Sequence, residues 1–175
     1  VQSGSSLAQR LQETYPGDPG VVIAALLNCV RFGAGDAAFL APGTVHAYLG
    51  GVAVEVMATS DNVLRAGLTP KLVDVDEFLR VARVDAAPPD MLRAQPDGTY
   101  PDRTAEFSLV GHRGGDDRTH RSIAGPAIVV CTRGTLTLGD LELRAGAGAF
   151  VPAAAGPTRL AAPGDAVVAT LGTAD

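Results

Sequence analysis

The chain has 175 residues, of which 46% are hydrophobic and 19% are charged, and its formal net charge is -5. This length and composition suffice for one compact unit or for two small β modules that share a core. The acidic balance, without a basic patch, argues against a nucleic-acid-binding protein, and no apolar run reaches the roughly 18 residues that span a membrane.

The first 25 residues predict short helices. Leu7 and Leu11 lie four residues apart, as on one face of a helix, and they predict a helix over residues 7–15. Asp18 precedes a proline, which is a start signal for another short helix. Because residue 1 is Val and no signal peptide follows, we expect this region to be a lead-in from a longer protein whose N-terminal segment is missing here.

Residues 26–85 form the next predicted region, which carries the densest chemistry of the chain. Residues 26–32 and 37–41 are short apolar runs typical of β-strands. Residues 73–84 predict a helix with acidic residues near its start. Three of its apolar side chains are expected to face inward: Phe78, Leu79 and Ala82.

His46 and Tyr48 follow a Pro-Gly turn and are separated by one residue. In an extended chain this spacing puts both side chains on the same face, where they can converge on one ligand. The spacing leaves open whether His46 is a metal ligand or a structural histidine.

Residues 52–59 alternate as a β-strand does, with three valines and an alanine on one face and Glu55 on the other. A carboxylate on a strand buried on both faces needs a cation or a hydrogen-bond donor beside it. The alternative is an edge strand that leaves Glu55 in water.

Residues 60–71 predict a loop with an unusual share of charge, which includes Asp61, Arg65 and Lys71. Loops held by a rigid sheet often carry binding groups. On the residues alone, a solvated connection explains the same pattern.

Several runs of this chain together resemble type I phosphomannose isomerases, a family also called mannose-6-phosphate isomerases. The three with the most chemistry are HAYL at residues 46–49, EVMA at residues 55–58 and SDNVLRAGLTPK at residues 60–71. Three earlier runs are YPGDPGVV at residues 15–22, LLN at residues 26–28 and GAGDAAFLAPG at residues 33–43. The resemblance covers about residues 15–75 and continues weakly to the C-terminus, which corresponds to the C-terminal portion of the family's proteins.

The resemblance implies a mainly β fold made of cupin-like, jelly-roll β-barrel modules with a few short helices. It also implies a zinc-dependent aldose-ketose isomerase of carbohydrate metabolism that interconverts mannose 6-phosphate and fructose 6-phosphate. By the family pattern His46 is a zinc ligand, and Arg65 and Glu55 are catalytic. The remaining matched positions contact the sugar phosphate: Tyr48, Asp61 and Lys71.

The chain departs from the family pattern at the metal. The family's other zinc ligands include a Gln-x-His pair upstream of HAYL, and this chain has no Gln-x-His. Catalytic zinc normally has three protein ligands, so we expect the isolated chain to be inactive and its site to be completed by the missing upstream segment. The alternative is a non-catalytic cupin-like module that binds sugar phosphates.

The second half of the chain predicts a linker over residues 86–103 and a second cupin-like module over residues 104–175. The linker is rich in Pro and Asp, and the module contains short apolar runs between Gly and Pro turns. These runs predict strands over residues 107–110, 127–132, 135–138, 141–144, 149–151 and 167–171. Two histidines of this half lie in a charged run that predicts a solvated loop: His112 and His120. Both cysteines, Cys29 and Cys131, lie in apolar runs and are expected to be buried free thiols, which fits the cytoplasm.

Overall fold

The computed structural model describes residues 4–60, 63–85, 87–115, 120–161 and 163–172. These residues form two compact units. The first comprises the chain up to Arg31 together with Ala38–Ala53 and Thr59–Asp90. The second comprises Phe32–Ala37, Val54–Ala58 and the chain from Met91 onward. The described part of the chain contains no helix that is long and apolar enough to cross a membrane.

The first unit contains three α-helices among its described residues: α1 (Gly4–Thr14), α2 (Gly20–Leu26) and α3 (Val75–Val81). As their spacing predicts, Leu7 and Leu11 share one face of α1, and they pack with Val21 of α2 in a small buried cluster. Helix α3 begins where Asp74 accepts a hydrogen bond from the Glu77 N–H at 3.0 Å, as an N-cap residue does.

Three predictions for the region before β1 and for α3 are wrong. Residues 26–32 do not form a strand, because α2 continues to Leu26 and the chain then runs without regular structure. Cys29 is therefore exposed and not buried, although it is a free thiol. Leu79 of α3 also faces solvent, whereas Phe78 is half-buried.

Two four-residue strands, β1 (Asp36–Phe39) and β2 (Asp90–Arg93), lie where the chain passes between the units. Strand β1 matches the predicted run of residues 37–41 to within two residues. Strand β2 was not predicted, and it begins inside the stretch assigned to a linker. The proposed domain boundaries themselves stay a prediction.

The second unit is an antiparallel β-sandwich of two four-stranded sheets, in the orders β3-β10-β5-β8 and β4-β9-β6-β7. Most strands that follow one another in the chain lie in opposite sheets, as in a jelly roll. The strands are β3 (Phe107–His112), β4 (His120–Ile123), β5 (Ala127–Arg133), β6 (Thr135–Leu138), β7 (Leu141–Arg144), β8 (Gly148–Val151), β9 (Thr158–Ala161) and β10 (Asp165–Leu171).

The core of the sandwich follows the period-two alternation of its strands. Val129 and Cys131 of β5 point inward, as do Val168 on the neighbouring strand β10 and Leu136 on β6 of the opposite sheet. These side chains and Leu160 have almost no exposed surface. Cys131 is buried and free, as predicted.

The prediction of a solvated loop at His112 is wrong. His112 is the last residue of β3 and is only 5% exposed, because it pairs with Ala166 of β10 and faces the inside of the sandwich. His120 begins β4 and is exposed. The charged run between these residues lies in part outside the described residues. Because the run is polar, the sequence does not reveal the end of β3 or the start of β4.

Candidate active site

The turn before His46 is held against the end of α3. Gly43 has a φ angle of +82°, and its carbonyl accepts a hydrogen bond from the Arg83 N–H at 2.9 Å. A Cβ atom at Gly43 would lie 2.7 Å from the carbonyl oxygen of Val81. Glycine is therefore required here both for its conformation and for the close approach of the two backbones.

His46 is oriented by the backbone next to it. Its Nδ1 atom lies 2.9 Å from the Thr44 carbonyl oxygen. A carbonyl oxygen only accepts hydrogen bonds, so Nδ1 carries the proton in this contact, and in the neutral imidazole Nε2 then keeps its lone pair. This is the arrangement in which a histidine binds a metal through Nε2 while its other nitrogen is held by a carbonyl.

Tyr48 lies beside His46, as their spacing predicts. The two ring centroids are 5.9 Å apart and the ring planes make an angle of 68°, an edge-to-face contact. Both side chains are exposed, and neither belongs to a regular strand. One molecule bound to the first unit can therefore contact both side chains.

A cleft of about 170 Å³ opens beside His46. Its walls are mostly apolar and come from the 43–46 segment, from Leu64 and Ala66, and from Phe78 on α3. His46 contributes the ionisable side chain of this wall. Arg65 lies between two of the lining residues in the sequence.

The strand predicted over residues 52–59 is not formed. No strand is assigned there, Val52 is fully exposed and Met57 is 59% exposed. A strand needs backbone partners, and no strand of the described chain pairs with this segment. The buried environment considered for Glu55 is therefore wrong, since Glu55 is exposed, and it belongs to the second unit.

Arg65 and Lys71 lie in the first unit, on either side of a tight turn. Arg65 is half-buried and Lys71 is exposed, and the Lys71 N–H donates to the Thr69 hydroxyl at 3.2 Å. Neither side chain has a hydrogen-bond or ion-pair partner among the described residues, which leaves both cations available to an anion. Asp61, the third charged residue predicted in this loop, lies outside the described residues.

Asp18 binds the turn between Arg65 and Lys71 through its carboxylate. The sequence predicts Asp18 only as the start of a helix. One carboxylate oxygen accepts the Gly20 N–H at 2.7 Å at the beginning of α2. The other oxygen accepts the Leu68 N–H at 2.8 Å, across 50 positions of the chain. The Asp-Pro-Gly run predicts the first contact, but no sequence signal reveals the second.

The described residues contain no group of three or more His, Cys, Asp and Glu side chains that could hold a metal ion. The orientation of His46 fits one zinc ligand. The donor set of this part of the chain is therefore too small for a catalytic zinc site, which needs three protein ligands.

The second unit contains buried polar chemistry of a different kind. The Nε2 atom of His112 is buried without a hydrogen-bond partner among the described residues. Burial lowers the pKa of His112, the nearby charge of Arg121 lowers it further, and Asp165 opposes both effects. Asp165 itself has a lowered pKa, mainly because Arg133 donates to it at 2.8 Å.

Comparisons with known proteins find relatives along most of this chain, although no protein-family model matches it. It is 40% identical over 156 residues to the mannose-6-phosphate isomerase of Escherichia coli strain K12, which covers 84% of this chain. It is 45% identical over 139 residues to the mannose-6-phosphate isomerase of Cryptococcus neoformans, which covers 73% of it. The chain spans 40% of the first relative's length and 32% of the second's.

Solved structures give the same result for the fold. A single-residue variant of phosphomannose isomerase from Salmonella typhimurium matches 95% of this chain with a TM-score of 0.78 and 31% identity. The mannose 6-phosphate isomerase of the same organism, bound to its substrate and to zinc, matches 97% of this chain with a TM-score of 0.76 and 30% identity. The chain covers 46% and 45% of those two structures. The match confirms the predicted mainly β, cupin-like fold with short helices.

Proposed function

Since the chain is a relative of the mannose-6-phosphate isomerases along most of its own length, we propose that it is the C-terminal portion of a zinc-dependent isomerase that interconverts mannose 6-phosphate and fructose 6-phosphate. The observation that carries this proposal is the 40% identity over 84% of the chain, which includes the His46 and Arg65 segments. The likeness to an isomerase structure bound to its substrate and to zinc supports the same substrate and metal.

His46 is the proposed zinc ligand of this chain. Its Nδ1 contact with the Thr44 carbonyl fixes the ring and leaves Nε2 available, which supports this role. When bound, zinc would supply a Lewis acid beside the sugar oxygens.

The other roles follow from the chemistry of the reaction. Moving a proton between C1 and C2 of a sugar needs a base, and the enediol oxygens gain negative charge on the way. We assign Arg65 to stabilise that charge and Lys71 to hold the phosphate, because both are cations without a partner among the described residues. Glu55 handles the proton or positions a hydroxyl group.

Tyr48 and Asp61 are proposed to contact the sugar phosphate. The edge-to-face contact of Tyr48 with His46 supports its place beside the metal ligand. For Asp61 the support is its position in the SDNVLRAGLTPK run.

We propose that an upstream segment of the same polypeptide completes the site. Three observations support this: the described residues contain no group of three side chains that could hold a metal, the 52–59 segment is mostly exposed, and the chain spans 40% of the length of its relative from E. coli. The two free cysteines support the cytoplasm as its location.

A second candidate is a cupin-like module that binds a sugar phosphate without catalysis. The small donor set around His46 favours it, because Arg65 and Lys71 would still bind a phosphate when the metal ligands are incomplete.

The deciding experiment measures mannose 6-phosphate isomerase activity with zinc, and with a chelator as the control. The complete polypeptide is expected to show chelator-sensitive turnover, whereas the 175-residue chain is expected to be inactive. A complete polypeptide that binds fructose 6-phosphate without turning it over would refute the isomerase and leave the binding module. Turnover by the 175-residue chain would refute the proposal that an upstream segment supplies ligands.

A further inference from the structure

We propose that Asp18 is a positioning residue that holds the turn between Arg65 and Lys71 in the geometry needed for catalysis. This inference rests on the function proposed above, because it acts through the roles given to those two cations. It adds to that function a residue from the helical region, which carries none of the proposed catalytic or binding groups.

The Asp18 carboxylate uses one oxygen for each of two backbone N–H groups. It accepts from Gly20 at 2.7 Å and from Leu68 at 2.8 Å, and both contacts are partly buried. A carboxylate accepts stronger hydrogen bonds than a neutral group does, and a half-buried N–H that loses its acceptor is costly. The contact therefore ties the start of α2 to the turn.

The turn itself is strained and needs this support. Leu68 has a φ angle of +54°, and among the described residues it is the single residue other than glycine with a positive φ angle. Such a conformation persists only where the surroundings enforce it, and it is frequent at functional sites. Two contacts enforce it here: the N–H of Leu68 binds Asp18, and its side chain packs on the buried cluster of α1 and α2.

Two glycines allow the carboxylate to reach across. A Cβ atom at Gly67 would lie 2.6 Å from the Asp18 Oδ1 atom and 2.9 Å from the Cα atom of Gly20. A Cβ atom at Gly20 would lie 2.9 Å from the Leu68 nitrogen. The backbones of α2 and of the turn therefore meet with no side chain between them, and a side chain at either glycine would force them apart.

Leu68 lies three residues after Arg65 and three residues before Lys71. A shift of its backbone therefore moves the attachment points of both cations. Catalytic groups lose much of their effect when they are displaced by about 1 Å, even if they keep their charge. This predicts that weakening the Asp18 contact reduces turnover without removing a group that touches the substrate.

The first test measures amide hydrogen exchange in the 175-residue chain. The Asp18→Ala substitution removes both acceptor oxygens, so the N–H groups of Gly20 and of Leu68 both lose their acceptor. We expect exchange at Leu68 to rise about 10-fold, as the loss of one hydrogen bond implies. The Cys131 amide, which donates to Ala147 in the second unit, and the Glu13→Gln variant, which changes an exposed carboxylate of α1, are expected to show no change.

The second test measures kinetics in the complete polypeptide. Asp18→Ala and Gly20→Ala, which crowds the same contact from the other side, are each expected to lower kcat/KM about 10-fold to 100-fold. In an Arg65→Ala background the same substitutions are expected to have smaller effects, because one of the two cations they position is gone. Zinc content is expected to stay unchanged.

The outcomes separate this inference from the function on which it rests. Unchanged exchange at Leu68 in Asp18→Ala, or losses of kcat/KM that simply multiply with that of Arg65→Ala, would overturn the positioning role and leave the isomerase intact. Full turnover in Arg65→Ala would instead overturn the proposed role of Arg65, and the positioning role of Asp18 with it, while the exchange data would still report the contact itself.

Discussion

Replacing Gly43 by alanine is predicted to loosen the segment that carries His46, and Gly17 provides a matched control. Gly43 has a φ angle of +82° and Gly17 one of +80°, so a Cβ atom costs the same conformational strain at both, about 1–2 kcal/mol. The two sites differ in space. A Cβ atom at Gly43 lies 2.7 Å from the Val81 carbonyl oxygen, whereas nothing lies within 4 Å of one at Gly17. Relief of that contact adds about 1–3 kcal/mol at Gly43 only.

The assay is urea denaturation followed by the helical circular dichroism signal, because the described α-helices belong to the first unit. We expect both variants to lose stability, with Gly43→Ala losing at least about 1 kcal/mol more than Gly17→Ala. Amide exchange at Arg83, whose N–H binds the Gly43 carbonyl, should rise in the Gly43 variant alone. Equal losses in the two variants would show that the backbones of the turn and of α3 do not approach as closely as the structure has them.

Three further predictions concern the proposed site and the buried histidine. In the complete polypeptide, Arg65→Ala is expected to lower turnover about 100-fold or more with zinc content unchanged, as loss of a transition-state contact does; normal turnover would remove Arg65 from the mechanism. His46→Ala is expected to lose zinc, and full stoichiometry by metal analysis would remove His46 from the ligands. The pKa of His112 is lowered in the folded state, so the unfolded chain binds a proton at this histidine more readily than the folded chain does. The free energy of unfolding should therefore fall as the pH drops below about 6.5. Urea denaturation at pH 7.5 and 5.5 tests this: a His112→Leu variant should lose less between the two, and an equal loss in both chains would refute the assignment. Asp165 does not contribute to the difference between these two pH values. Its pKa is lowered, so the stability that its charge provides is lost only at more acidic pH.

The sequence predicts the sandwich of the second unit well where local signals suffice. Strands β6 and β7 have the predicted bounds, because Gly and Asp turns limit both and alternation separates buried Leu136 and Leu138 from exposed Thr137. Strands β4 and β9 were missed, since each is short and carries polar residues. Their partners in the sheet are distant in the sequence: β4 pairs with β9 across nearly 40 positions.

The candidate site is predictable to a different extent. Family-like motifs predict roles for His46, Arg65 and Lys71, and these roles stay predictions. The contact between His46 and Tyr48 follows from their spacing. The contact of Asp18 with Leu68 does not follow from the sequence, because a contact across 50 positions depends on how the helices and the turn pack. Burial of His112 is hidden for the same reason: the residues around it suggest solvent, whereas the strand pairing decides that it faces the core.

The 52–59 segment shows the limit of a periodic pattern most clearly. Its valines alternate as a strand requires, yet the segment is exposed and without a partner strand among the described residues. Alternation reports that one face needs to be covered, and it does not say which part of a protein provides the cover. Exposed apolar surface costs roughly 25 cal/mol per Å², so fully exposed Val52 and largely exposed Met57 are expensive in water. A neighbouring strand from the proposed upstream segment would order this segment, with Val52 on one face and with Met57 and Glu55 on the other. One proposed partner would therefore explain both the alternating pattern and the completion of the site.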